Sequence, residues 1–93
     1  MKTVLDLTNC RYPLEMHGRI RKALHFPEHY GNNWDAFWDC LTCDSPVSFV
    51  EIRGEKTFAE ELRPMVEALH SLLDEAKEKG ANEGWAFDYK FTD

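Results

Sequence analysis

The spacing of hydrophobic residues along the chain predicts strands that alternate with helices. Apolar or β-branched runs of strand length occupy residues 3–7 and 47–53, and alternating aromatic and polar residues predict a third strand over residues 85–91. Helical spacing predicts one helix that begins at Pro13 and ends before Pro27, and a second from about Trp34 to Thr42. A short helix near residues 57–62 and a longer one stopped by Gly80 should follow.

This order of elements favours an α/β fold. Strands separated by helices pair in parallel, because a parallel return needs a right-handed crossover of a dozen or more residues. We therefore expect residues 1–93 to form one domain, a small three-stranded parallel sheet with about four helices on one face. The aromatic residues of the last strand should belong to the core and not to a ligand site; they are Trp85, Phe87, Tyr89 and Phe91.

The second predicted helix has one apolar and one acidic face. The residues expected to point inward, at positions i, i+3 and i+7, are Trp34, Phe37 and Leu41. The residues expected to point outward are Asp35, Asp39 and Thr42, with Trp38 beside them. No lysine or arginine within the helix compensates the two aspartates, although like charges four residues apart cost a few tenths of a kcal/mol. The acidic face therefore predicts a binding surface.

Charge is unevenly distributed along the chain. There are 17 acidic and 11 basic residues, a net charge of -6, and the stretch from Ala23 to Glu51 contains five acids and no lysine or arginine. A field of one sign raises the encounter rate with a partner of opposite sign and contributes nothing to packing. We expect a basic partner, and no direct binding to nucleic acid, whose phosphates carry the same charge.

Composition also bears on the compartment. No apolar run is long enough to span a membrane, and the first residues lack the apolar stretch of a signal peptide. Three cysteines cannot all pair within one molecule, which suits a reducing compartment. The sequence thus predicts a cytoplasmic protein with free thiols and no membrane partner.

Two residue sets could carry chemistry, and both are weak signals. Cys40 and Cys43 could bind zinc together with His25 and His29, but a helix C-terminus disfavours thiolates and the histidines flank a proline. Asp35 and Asp39 could bind magnesium or act as acid and base, but the chain shows no candidate nucleophile or phosphate-binding glycine loop. We therefore expect no metal, no cofactor and no enzymatic activity.

Residues 30–42, with the sequence YGNNWDAFWDCLT, resemble the signature of the barstar family, intracellular inhibitors of the secreted ribonuclease barnase. Pro27 and Glu28 precede the signature as they do in the family, and looser similarity extends from the first strand to residues 74–77. The resemblance implies a three-stranded parallel sheet packed with helices. It also implies inhibition of a guanyl-type ribonuclease, whose active site the second helix and its preceding loop would block.

The resemblance assigns partner contacts to eight residues, with Asp39 as the anchor. They are Tyr30, Asn33, Trp34, Asp35, Trp38, Asp39, Thr42 and Glu75, with His29 and Asp44 at the possible rim. A ribonuclease site holds phosphate with cationic side chains, so a carboxylate on a rigid helix can occupy the phosphate position. The implied partner is a basic secreted ribonuclease, and the free chain is expected to be a monomer. The alternative is an immunity or adaptor protein on the same fold, which binds a different basic toxin or partner.

Four positions depart from the pattern of the family's founding member. His29 replaces a tyrosine, Cys43 and Asp44 replace a glycine and a tryptophan, and Lys79 replaces an acid. All four lie at or beside the expected interface. The departures predict that charge is redistributed to suit a cognate enzyme other than barnase.

Overall fold

The computed structural model describes residues 1–44, 47–54 and 57–92, and its elements follow the predicted order. They are β1 (Lys2–Asp6), α1 (Pro13–Ala23), α2 (Trp34–Asp39) with a π-helical turn (Cys40–Asp44), β2 (Phe49–Arg53), a 3-10 turn (Glu60–Leu62), α3 (Arg63–Glu83) and β3 (Asp88–Thr92). Proline stands in the first turn of both α1 and α3, where its missing N–H has no helical partner to lose.

The three strands form one parallel sheet in the order β1-β2-β3. Leu5 of β1 lies opposite Ile52 of β2, which lies opposite Phe91 of β3. Leu5 and Ile52 are buried. Because strand residues alternate between faces, this register defines the sheet face that the helices cover. The predicted three-stranded parallel sheet is confirmed.

The helix count differs slightly from the prediction. The described residues form three α-helices, whereas about four were expected, because the stretch near residues 57–62 forms only a three-residue 3-10 turn. The 3-10 turn leads directly into α3, whose second residue is Pro64. A run of this length cannot make α-helical hydrogen bonds of its own before the next helix begins.

The predicted end of α3 at Gly80 is wrong. The helix continues to Glu83 and ends at Gly84, which has a left-handed backbone with φ of 86°. Gly80 serves a different purpose, since a Cβ there would lie 2.5 Å from the carbonyl oxygen of Trp85. The N–H groups of Gly84 and Trp85 both donate to the Gly80 carbonyl, at 2.9 and 3.0 Å. The chain therefore folds back closely over Gly80, which requires a residue without a side chain.

The core lies between the helices and one face of the sheet. Phe87 is buried, and the other aromatic residues of the last stretch pack partly buried against the core; they are Trp85, Tyr89 and Phe91. Their predicted place in the core is confirmed.

The opposite sheet face, which we call the outer sheet face, bears Val4, Glu51 and Lys90 side by side, and Val4 is 43% exposed. No helix within the described residues has both the length and the apolar character needed to span a membrane.

Candidate protein-binding groove

The side chain of Asn33 determines where α2 begins. Its Oδ1 accepts a hydrogen bond from the backbone N–H of Ala36 at 2.8 Å, and its Nδ2 donates to the carbonyl of Gly31 at 3.2 Å. The first bond satisfies one of the N–H groups that a helix start leaves without a partner. Asn33 thus caps α2 and holds the preceding loop against it, and this places Asp35 in the first turn.

Burial confirms the predicted faces of α2 for four residues: Phe37 and Leu41 are buried, and Asp35 and Asp39 are exposed. Thr42, predicted to point outward, is half-buried, as are Trp34 and Trp38. The α-helix ends earlier than the predicted Thr42, and a π-helical turn from Cys40 to Asp44 continues it. In this wider turn the hydroxyl of Thr42 donates to the carbonyl of Trp38 at 2.8 Å. The side chain of Asp44 lies outside the described part of the chain.

A groove between α2 and α3 brings most of the predicted contact residues together. It has a volume of about 500 Å³ and is lined by Trp34, Asp35, Trp38, Asp39, Leu72 and Glu75. Five of these six belong to the eight residues predicted to contact a partner. Its lining holds three carboxylates, two indoles and no lysine or arginine. We call this surface the acidic groove.

Tyr30 lies beneath the acidic groove and not on its surface. Its side chain is only 5% exposed, and its hydroxyl lies 2.8 Å from Nδ1 of His17 in α1. The ring of His17 in turn lies 4.9 Å from the Trp34 ring. Burial lowers the pKa of His17, which favours the neutral ring. Tyr30 therefore ties the loop before α2 to α1, while His29 beside it is exposed.

Sequence reasoning missed two residues of this region, Leu72 and His17. Leu72 lies three residues before Glu75 on α3, outside the buried stripe of Val66, Leu69, Leu73 and Ala76. An apolar position next to an acid on a helix was the signal that could have identified it. His17 had no such signal, because its role depends on the packing of α1 against the loop before α2.

The five acids between Ala23 and Glu51 do not share one surface. Glu51 lies on the outer sheet face, where it accepts a hydrogen bond from Arg53 and lies 3.4 Å from Lys90. The hydrogen bond from Arg53 is the main cause that lowers the pKa of Glu51. Glu51 is therefore neutralised locally and contributes little to the field of the acidic groove.

The four side chains considered as zinc ligands differ in burial. Cys40 is buried and Cys43 is exposed. His25 and His29 are exposed in the connection between α1 and α2. Within residues 1–44, 47–54 and 57–92, no three His, Cys, Asp or Glu side chains come close enough to hold a metal ion.

Comparison with known proteins adds two similarities. The family model described as "Barstar (barnase inhibitor)" matches residues 1–92. A protein of Bacillus subtilis (strain 168) named "Putative ribonuclease inhibitor YrdF" is 35% identical over 71 residues, which are 67% of this chain and 78% of that protein. The family match covers the sheet, the three helices and both walls of the acidic groove.

Proposed function

We propose that this chain, which belongs to the Barstar (barnase inhibitor) family, inhibits a basic guanyl-type ribonuclease by covering its active site with α2 and the preceding loop. The observation that carries the proposal is the acidic groove. Three exposed carboxylates and two indoles line it, and no lysine or arginine is among the lining residues. Charges left without compensation on a rigid surface cost stability, so they are best explained by a partner that supplies the cations.

Asp39 is the proposed anchor. A ribonuclease site is built from arginine, lysine and histidine to hold a phosphate, and a carboxylate can accept the same charge-assisted hydrogen bonds. Asp39 suits this role because it is exposed on α2 and lines the acidic groove together with Trp38 and residues of α3. Asp35 and Glu75 add negative charge to the same groove. Inhibition then requires only occupancy of the site, with no chemical step, metal or cofactor.

The other predicted contact residues hold the elements around the acidic groove in place. Asn33 caps α2, and Thr42 donates its hydroxyl hydrogen to the backbone, so toward a partner that hydroxyl can only accept. Tyr30 holds the loop from below through His17. A surface whose side chains are already held in place loses less conformational entropy on binding. The groove is therefore preorganised for its partner.

The cognate enzyme is proposed to differ from barnase. Lys79 lies one helical turn after Glu75 on α3 and pairs with Glu83 at 2.5 Å. Because Glu83 compensates Lys79, this end of the acidic groove lacks the extra negative charge of the founding member's acid, so a partner arginine or lysine at the matching position gains less there. The exposed His29 also changes the rim, because it stands where the family's founding member has a tyrosine.

Titration of ribonuclease activity tests the proposal. Barnase and other small basic guanyl-type ribonucleases would be assayed for RNA cleavage with increasing amounts of the chain. We expect stoichiometric loss of cleavage with at least one enzyme, much weaker inhibition by Asp39→Ala, and parent behaviour in Glu67→Ala, which removes an exposed acid of α3 outside the groove. Excess chelator should change nothing.

The alternative role would produce a different result. Binding to a basic protein without loss of ribonuclease activity, again sensitive to Asp39→Ala, would support an immunity or adaptor protein. Equal inhibition by the parent and Asp39→Ala would contradict the assignment of the acidic groove.

A further inference from the structure

The solvent-facing side of α1 is basic and partly apolar. It comprises Arg11, two residues before α1, the exposed helix positions Leu14 and Lys22, and the half-buried Gly18 and Arg21, and we call it the α1 outer face. Helical spacing also places Glu15 on this face, between Arg11 and Gly18. Leu14 is 71% exposed and neighbouring Tyr12 is 65% exposed, the highest values among the exposed large hydrophobic residues. A Cβ on Gly18 would meet no atom within 4 Å, so nothing covers the middle of this face.

The cations of the α1 outer face lack the carboxylate partners that most described cations elsewhere have; the exception is Lys2 of β1, whose ammonium lies over the Phe49 ring. Arg11, Arg21 and Lys22 form no ion pair within the described residues, and the one acid of α1, Glu15, is paired with Arg19 at 3.0 Å. By contrast, every described cation of β2, α3 and β3 pairs with a carboxylate; these are Arg53, Arg63, Lys77, Lys79 and Lys90. Unpaired positive charge is therefore concentrated on the α1 outer face.

This face is complementary to the acidic groove of the same protein. The groove presents three carboxylates without an ion pair in the described part of the chain, and the α1 outer face presents three unpaired cations. The apolar components also match, since exposed Leu14 and Tyr12 could pack on the indoles and Leu72 that line the groove. Complementary charge with an apolar centre is the usual composition of a specific protein interface.

We propose that the acidic groove of one copy binds the α1 outer face of a second copy at high protein concentration and low salt. Two different surfaces meet in this contact, so it is head-to-tail and can extend beyond two copies. The monomer expected from the sequence would then be the form in dilute or salty solution. The proposal rests on the proposed function in one respect: a ribonuclease that occupies the groove would compete with self-association.

Sedimentation at increasing protein concentration and two ionic strengths tests for the association. At low salt, the average mass should rise above the 10.9 kDa of one chain, and added salt should return it to that value. The double variant Arg21→Glu/Lys22→Glu should weaken self-association roughly tenfold or more, because it reverses two of the three unpaired cations. It should inhibit a ribonuclease as the parent does, since neither residue lines the acidic groove.

Mixing two deficient variants identifies the faces involved. Arg21→Glu/Lys22→Glu retains its groove, and Asp35→Asn/Asp39→Asn, whose groove gains no cation, retains its α1 outer face, so each alone should remain a monomer. Their mixture should form a closed 1:1 dimer, because only one compatible pair of faces remains. Circular dichroism melts of both variants would establish that they are folded.

The outcomes separate this proposal from the proposed function. A parent chain that stays at 10.9 kDa at every concentration in low salt would overturn self-association and leave inhibition untouched. Association that the mixture cannot restore would assign it to another surface and overturn the proposal. The proposal would also fail if the α1 cations affected binding of RNA or of vesicles containing anionic lipid but not self-association. Failure of ribonuclease inhibition with intact self-association would contradict only the proposed function.

Discussion

Two carboxylates from the same cation-free stretch of sequence, Glu51 and Asp39, lie in opposite electrostatic environments. Glu51 lies on the outer sheet face, its side chain is 15% exposed, and Arg53 and Lys90 both contact it. Asp39 lies in the acidic groove, is exposed and has no cation in the lining around it. The charge of Glu51 is compensated within the fold, whereas the charge of Asp39 remains available to a partner. Only tertiary structure separates the two.

Strand register is the cause of the difference. Lys90 of β3 is the direct neighbour of Glu51 in the sheet, and Arg53 lies two residues further along the same strand face. Opposite charges on neighbouring strands of one face compensate each other. The acidic groove is built from two helices whose facing positions carry acids and apolar residues only.

The largest expected effect is on binding at Asp39. Asp39→Ala should weaken ribonuclease binding by about 2 to 5 kcal/mol, mostly through faster dissociation, because partner cations would be buried without a counter-charge. Glu51→Ala is the matched control and should bind like the parent. Stopped-flow association and dissociation rates would measure both. Equal losses in the two variants would eliminate the distinction between the two surfaces.

Ionic strength should affect association strongly. The uncompensated acids act on a basic enzyme before contact, so the association rate should reach about 10⁸ M⁻¹ s⁻¹ at low salt and fall roughly tenfold or more as salt screens the field. Dissociation should change much less. Glu28→Gln, which removes an exposed acid before α2, should slow association modestly, whereas Glu51→Gln should not. An association rate insensitive to salt would indicate a groove that attracts no basic partner.

The start of α2 should be held by its cap. Asn33→Ala should lower the free energy of unfolding by about 1 kcal/mol, because the N–H of Ala36 loses its acceptor. Asn33→Ser keeps a capping oxygen and should retain most of the stability. Urea unfolding of the three proteins would measure the difference. If both variants unfolded like the parent, packing of Phe37 and Leu41 alone would position the acidic groove.

The smallest expected effects are on stability, and they should differ between Asp39 and Glu51. Removing Asp39 relieves its repulsion with Asp35 by a few tenths of a kcal/mol, so Asp39→Ala should melt no lower than the parent. Glu51→Gln should melt lower at neutral pH. Thermal melts followed by circular dichroism at pH 7 would compare the three proteins. A clear drop for Asp39→Ala would instead identify Asp39 as a structural residue.

The pH dependence of Glu51 follows from the direction of its pKa shift. Its pKa is lower in the folded state than its ordinary value of 4.5, so its contribution is present above that pH and is lost as the pH falls. The difference in melting temperature between the parent and Glu51→Gln should therefore shrink on acidification below pH 4.5. A difference that persisted in acid would mean that Glu51 acts through packing and not through its charge.

Local pattern was sufficient to predict most of the fold. The alternation of strands and helices required parallel pairing, and the faces of α2 followed from the spacing of Trp34, Phe37 and Asp39. The pattern could not separate two similar glycines, Gly80 and Gly84, since only the return of Trp85 over α3 distinguishes them. Periodicity thus identified the elements and left their exact ends undetermined.

The composition of the acidic groove was predictable only in part. The resemblance identified five of its lining residues, but Leu72 lies on another helix and enters the groove only when α3 packs beside α2. The burial of Tyr30 likewise depends on His17, which lies in α1. Both features arise from contacts between elements far apart in sequence, and a periodic pattern carries no information about such contacts.

The pairing of distant residues in the sheet has a consequence for the time course of folding. Lys2 pairs with Phe49, and Phe49 with Asp88, so every strand pair must close a long loop before it gains a hydrogen bond. Topologies dominated by such contacts fold more slowly than helical bundles of similar size. The two walls of the acidic groove belong to different loops, one between β1 and β2 and the other between β2 and β3. A newly made chain should therefore become able to bind only after both closures, later than a helical protein of the same length.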